Sequence, residues 1–248
     1  VTFGSNSLLR TIGQYAFTKC ANLGPSVILP DTVESIGAYA FNGCTSLIEV
    51  HLPQSDNAKY TTIQKYLFNG CTALEKINIP TSVSKISSYA FKDCLSLKEI
   101  YIPLTVSTVE EDAFVGCDSL IVFAQNTKAP RNWEKGWDNS VNHIAMGSEG
   151  KLVDGDFVYS IVKVEDDILA LQLVRYVGDD VNVVIPSTVD GKEVVAVLHN
   201  AFLNNETVQS VTIPSTVTLI SGTPFMGCVS LTSIVIDQTS ALEGFEEG

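Results

Sequence analysis

Ile63-Gln64-Lys65-Tyr66-Leu67-Phe68-Asn69-Gly70-Cys71-Thr72-Ala73-Leu74-Glu75-Lys76-Ile77-Asn78-Ile79-Pro80 and Ile86-Ser87-Ser88-Tyr89-Ala90-Phe91-Lys92-Asp93-Cys94-Leu95-Ser96-Leu97-Lys98-Glu99-Ile100-Tyr101-Ile102-Pro103 are one phrase written twice. Phe91 minus Phe68 and Cys94 minus Cys71 are both 23. A fixed period in the twenties marks a solenoid, whose units are too short to bury an apolar face alone and must stack on their neighbours.

Working outward, the phrase recurs along most of the chain. Upstream, one copy runs through Ile12, Phe17, Cys20, Leu23, Val27 and Pro30, and the next through Ile36, Phe41, Cys44, Leu47, Val50 and Pro53. A polar insertion, roughly Gln54 to Thr62, delays the third copy, so that Phe68 minus Phe41 is 27. Such insertions leave a solenoid as surface loops. Downstream, Val109, Phe114, Cys117, Leu120 and Phe123 make a fifth copy. The rhythm then stops, and a segment with Pro130, Trp133 and Trp137 runs to Ser148. Lys151 to Val177 reads as two or three strands joined at Asp-Gly and Asp-Asp turns. Two further copies follow, through Phe202 and Phe225, which are again 23 apart. The domains expected are therefore 1–148, a first array of about five coils, and 149–248, a second array with an opening hairpin and two to three coils. The tail after Asp237 is acidic and aperiodic.

Within a unit, Leu-x-x-Ile-x-Ile-Pro alternates apolar and polar residues before a proline, the pattern of a short strand with one buried face. The proline lacks an N–H and ends the pairing. Val-x-x-Ile supplies a second apolar edge. Ala-Phe-x-x-Cys-x-x-Leu spaces apolar residues by three, which predicts a single helical or 3₁₀ turn. Each Phe, Cys, Leu or Ile buried by stacking contributes roughly 1.5–3 kcal/mol.

The six cysteines each follow a phenylalanine by three residues and occupy one equivalent site per unit. No C-x-x-C spacing gathers them as metal ligands. They are expected as free, buried thiols acting as small hydrophobes, the alternative being a cross-link between neighbouring coils. In the sixth full unit Asn205 replaces the cysteine, positioned to hydrogen-bond backbone within its coil.

These Ile-x-x-x-Ala-Phe-x-x-Cys-x-x-Leu-x-x-Ile-x-Ile-Pro-x-x-Val units resemble the BspA-like leucine-rich repeats, found mainly on bacterial surface and secreted proteins. The resemblance implies an α/β leucine-rich-repeat solenoid, β-rich, with right-handed coils of about 23 residues, short strands and short helical or 3₁₀ turns. It also implies an extracellular or cell-surface location, and makes the Pro- and Trp-containing segment the closure of the first array. Physically, Trp133 and Trp137 can lie over the open apolar end of a stack. The alternative is a sugar platform, since the two indoles sit four residues apart.

The 248 residues carry 15 Lys and Arg against 28 Asp and Glu, a net charge of −13. That balance opposes nucleic acid, whose affinity rests on cations neutralising phosphates, and equally opposes anionic lipid. No apolar run is long enough to span a membrane. The first residue is Val1, inside the repeat pattern, so the chain is expected to be a piece of a longer protein whose export signal lies elsewhere. Only three histidines occur, and no nucleophile elbow, Walker loop, dinucleotide fingerprint or zinc-binding helix is present. The Asp pairs lack calcium-loop spacing and fall where turns are expected. No enzyme activity, cofactor or metal is expected.

The outward strand positions carry the functional signal. With Leu, Ile and Ile pointing inward, two columns point out: Glu49, Lys76, Glu99, Val122, and Ile28, His51, Asn78, Tyr101, Ala124. Coils lie about 4.8 Å apart, so each column is a continuous row. The alternating charges relieve repulsion between coils. Glu49, His51, Lys76, Asn78, Glu99 and Tyr101 also form a mixed aromatic and polar patch suited to protein or glycan. The function expected is therefore a monomeric, non-enzymatic recognition or adhesion module for a host or neighbouring-cell protein or glycan. Its alternatives are a spacer carrying other domains, and a glycan-docking accessory of an enzyme.

Overall fold

The computed structural model describes residues 3, 6–54, 59–166 and 168–237. The aperiodic tail after Asp237, the middle of the polar insertion and Asp167 lie outside them. The chain divides into two units, Val1–Asn142 and His143–Gly248.

The first unit is a stack of coils with very short strands: β1 (Thr11–Ile12), β2 (Ser26–Ile28), β3 (Ser35–Ile36), β4 (Glu49–His51), β5 (Thr62–Ile63), β6 (Lys76–Ile77), β7 (Lys85–Ile86), β8 (Glu99–Ile102), β9 (Thr108–Val109) and β10 (Ile121–Ala124). Even-numbered strands come from the Leu-x-x-Ile-x-Ile segments and odd-numbered ones from the Val-x-x-Ile edge. All their pairings are parallel: β2–β4–β6 and β8–β10 on one edge, β1–β3 and β5–β7–β9 on the other.

The Ala-Phe-x-x-Cys segment, expected as a helical or 3₁₀ turn, contains no helix among the described residues; it is a run of hydrogen-bonded turns. The reason lies in where its N–H groups go. Ala40, Asn42 and Cys44 donate three residues back within their own coil, at 3.3, 3.1 and 3.2 Å. Tyr39, Phe41 and Gly43 donate instead to Lys65, Leu67 and Asn69 of the next coil, at 3.2, 3.1 and 2.8 Å. A helix would consume every donor internally; here every second one ties two coils together. The alternation requires left-handed backbone, found at Tyr39 with φ 60° and Gly43 with φ 71°.

Core side chains form columns through the stack. Phe17, Phe41, Phe68, Phe91 and Phe114 stack with centroids 5.2 to 5.7 Å apart. Trp137 then meets Phe114 edge-on at 6.3 Å, and Trp133 meets Trp137 at 4.7 Å. Trp133 donates Nε1–H to the Val106 carbonyl at 3.3 Å, and both indoles are 6% exposed. They therefore close the phenylalanine column and offer no open ring face to a sugar.

The second unit starts with β11 (His143–Met146), ahead of the joint expected at 148/149. It continues with β12 (Ser148–Asp154), β13 (Phe157–Glu165), β14 (Ile168–Tyr176), β15 (Asn182–Val184), β16 (Thr188–Val189), β17 (Lys192–Val197), β18 (Ser210–Ile213), β19 (Leu219–Ile220) and β20 (Ser233–Ile236). β12, β13 and β14 form an antiparallel meander longer than the strands expected there. β14 passes into parallel pairing with β17 and β17 with β19, while β15–β18–β20 rebuild the strand face. Its core joins Tyr159, Leu171, Leu173, Val197, Phe202 and Val211.

Candidate functional site

Coil 3, running from β5 through β6, sits differently from its neighbours. On the strand edge β6 pairs with β4 of coil 2, whereas β8 of coil 4 begins a separate sheet with β10. On the opposite edge the reverse holds: β5 pairs with β7 of coil 4, whereas among the described residues β3 of coil 2 pairs only with β1. Coil 3 is thus zipped to coil 2 on one edge and to coil 4 on the other. The polar insertion enters where β3 and β5 part.

A cleft of about 390 Å³ opens over this strand-edge gap, lined by Glu49, Val50, His51, Glu75, Lys76, Ile77, Asn78, Lys98 and Glu99. Ile77 at its floor is half-buried, whereas its equivalents Val50 and Ile100 are each 1% exposed. Around this apolar spot the polar groups alternate in sign. Glu49 stands in register with Lys76 across β4–β6. Glu75 and Lys98 occupy the equivalent positions one residue earlier in coils 3 and 4. His51 Nε2 lies 3.3 Å from Glu49 Oε1 on the same strand.

Five of the six residues expected from the sequence therefore line one cleft: Glu49, His51, Lys76, Asn78 and Glu99. Tyr101 does not line it. It lies further along β8, half-buried and in register with Phe123. Glu75, Lys98 and Ile77 line the cleft but were missed, because the frame treats the residue after Leu as a corner and the first Ile as core. The Glu75-Lys76 and Lys98-Glu99 pairs were a readable signal, since their charges reverse from one coil to the next.

The outward columns need one correction. Val122 and Ala124 do not continue them: Val122 pairs with Ile100 and Ala124 with Ile102, and both are fully buried. The spacer after Leu120 is one residue shorter than that after Leu97, so the register slips by one. Ile121 and Phe123 take the outward slots, and both are buried too.

A second surface feature escaped the repeat frame. Tyr15, Tyr39, Tyr66 and Tyr89, each preceding the Ala-Phe or Leu-Phe pair, stack with centroids 4.7 to 4.9 Å apart. All four have positive φ, 56° to 62°. Lys65 Nζ lies 5.4 Å from the Tyr66 centroid and 5.6 Å from that of Tyr89. The ring faces are spent on one another, so this ladder reads as structure.

All six cysteines are free. Cys44, Cys71, Cys94 and Cys117 are buried, and burial pushes the Cys44 and Cys71 thiols up to about 11 and about 12. Cys20, expected to be buried, is exposed because no preceding coil covers it among the described residues. Asn205 does more than expected. Its Nδ2 donates to the Gly178 carbonyl at 2.9 Å, while its Oδ1 accepts from the Thr207 and Val208 N–H groups of its own coil. Among the described residues no group of His, Cys, Asp and Glu is arranged to hold a metal, and no helix is long and apolar enough to cross a membrane.

A family model described as a BspA type Leucine rich repeat region matches residues 3–128 and 182–245, in six copies. No curated protein matches the chain. Among solved structures, a leucine rich cell surface protein from Faecalibacterium prausnitzii A2-165 is 26% identical, over 96% of this chain and 68% of that one, with a TM-score of 0.45. A leucine-rich repeat protein from Bacteroides ovatus ATCC 8483 is 21% identical, over 96% and 66%, with a TM-score of 0.43. The Leucine Rich Repeat protein of T. pallidum is 23% identical, over 91% and 73%, with a TM-score of 0.38.

Proposed function

Since the chain belongs to the BspA-type leucine-rich-repeat family, we propose that it is the recognition portion of a bacterial cell-surface or secreted protein, engaging a protein or glycan outside the cell. The observation that carries this reading is the cleft at coil 3. Five outward residues on three separate coils converge on it, around an apolar floor that the adjoining coils keep covered at Val50 and Ile100. An uninterrupted ladder serves a spacer at least as well, whereas a gap that half-exposes Ile77 makes sense as a place for something to sit. The acidic surface keeps nucleic acid and anionic lipid away.

The test is a binding panel of extracellular-matrix proteins and glycans probed with the full chain. A saturable hit should weaken at least about tenfold in a Lys76→Ala/Glu99→Ala variant. It should survive Ser210→Ala/Thr212→Ala, which alters the corresponding columns of the second unit. A folded protein that binds nothing on the panel, or binds with equal strength when Lys76 and Glu99 are both replaced, moves the assignment to a spacer.

A further inference from the structure

We propose that the cleft at coil 3 is a carbohydrate subsite for an uncharged glycan, one or two sugar units in extent; this rests on the recognition reading above.

The argument starts from hydrogen-bonding capacity. Carboxylates only accept and ammonium groups only donate, whereas a sugar hydroxyl does both. The cleft sets Glu49, Glu75 and Glu99 among Lys76 and Lys98, with the Asn78 amide offering both functions. Acceptors and donors alternate between coils, as in Glu49 opposite Lys76. A hydroxyl between two such groups accepts from the ammonium and donates to the carboxylate, leaving neither orphaned. The anionic group of a sulfated or acidic sugar can only accept, and would face three carboxylates. A lysine or arginine head group can only donate, and would face two ammonium groups. Mismatched charge of either sign is penalised, so the polyol is the class that satisfies every wall. The half-buried Ile77 floor suits the apolar C–H face of a pyranose. The cleft's volume of about 390 Å³ lies at the small end of ligand sites.

The experiment is a glycan array covering neutral, sialylated and sulfated structures, with hits titrated calorimetrically at low and high salt. Expected is a neutral glycan whose affinity changes by less than about twofold with salt. Its affinity should fall at least about tenfold in Glu99→Gln and in Lys76→Met, each variant keeping the parent's circular dichroism. A neutral hit that survives both variants binds elsewhere and overturns the proposal. A hit confined to charged glycans, or to a matrix protein with salt-sensitive affinity that needs Lys76 and Glu99, overturns the neutral-glycan assignment while the recognition reading stands. Silence on glycans and proteins alike ends both.

Discussion

Cys71 donates its thiol to the carbonyl oxygen of Phe41 in the preceding coil, at 3.1 Å. The relation repeats from Cys44 to Phe17, Cys94 to Phe68, Cys117 to Phe91 and Cys228 to Phe202, between 3.0 and 3.2 Å. The same carbonyls accept the cysteine N–H of their own coil, or at Phe202 the N–H of Asn205. Each phenylalanine oxygen thus uses both lone pairs, one holding its coil's turn and the other the next coil. The cysteine column is a donor ladder as well as apolar filling.

Given that second role, Cys94→Ser should be milder than Cys94→Ala. Alanine removes a buried sulfur and the inter-coil donor, at a cost of about 1–2 kcal/mol. Serine is smaller too, but still donates to the Phe68 oxygen. Urea titration of both variants decides it. Serine proving worse than alanine would reduce the thiol to a hydrophobe.

Thiol labelling should separate the six cysteines by position. Cys20 is exposed and should react with a disulfide reagent at the rate of a free thiol. Cys228, partly covered and with its pKa raised by burial, should lag. Cys44, Cys71, Cys94 and Cys117 should wait for unfolding, since burial blocks access to all four and suppresses the thiolate of the first three. The amplitudes in native buffer and in denaturant count the two groups.

The tyrosine ladder predicts an unequal pair of substitutions. The left-handed position costs a tyrosine on the order of 1 kcal/mol, and Asn or Asp tolerates it better. Asp112 and Asn200 occupy the same position in other coils, with φ 54° and 62°. Lys65 Nζ lies over both Tyr66 and Tyr89, but Tyr66 stacks on two rings and Tyr89 on one. Tyr66→Asn should therefore destabilise by about 1 kcal/mol net and Tyr89→Asn by less, stacking and strain partly cancelling. Equal losses in thermal unfolding would show that stacking does not outweigh backbone strain at Tyr66.

The sequence made the period, the inward residues and the Trp closure legible, because stacked coils force equivalent residues into equivalent environments. It misread the Ala-Phe-x-x-Cys segment as helical, since spacing by three cannot reveal that every second N–H belongs to the next coil. It missed the slip at Val122 because a one-residue deletion between apolar residues leaves the apolar pattern intact. Five cleft residues could be named from the outward columns. The cleft itself could not, since it lies where strand pairing breaks between β6 and β8, which the repeat pattern does not record.

His143 should make the protein acid-sensitive. It is 5% exposed, and its Nδ1 has no hydrogen-bond partner among the described residues. Burial first, then the Arg175 and His199 charges, lower its pKa to about 4, against the opposing hydrogen bond with the Asn200 backbone. The folded form therefore resists a proton that the unfolded chain accepts near its ordinary value of about 6.5. Its contribution to stability is intact above pH 6.5 and is lost as pH falls from there to about 4. Below that both states are protonated and the loss levels off. The drop should approach about 3 kcal/mol at most, since each pH unit between the folded and unfolded values is worth about 1.4 kcal/mol. Urea midpoints from pH 7 to 4, compared with His143→Gln, measure it. Glutamine keeps a polar group that does not titrate there, so its pH slope should be shallower than the parent's. Parallel slopes would place the acid sensitivity in other groups.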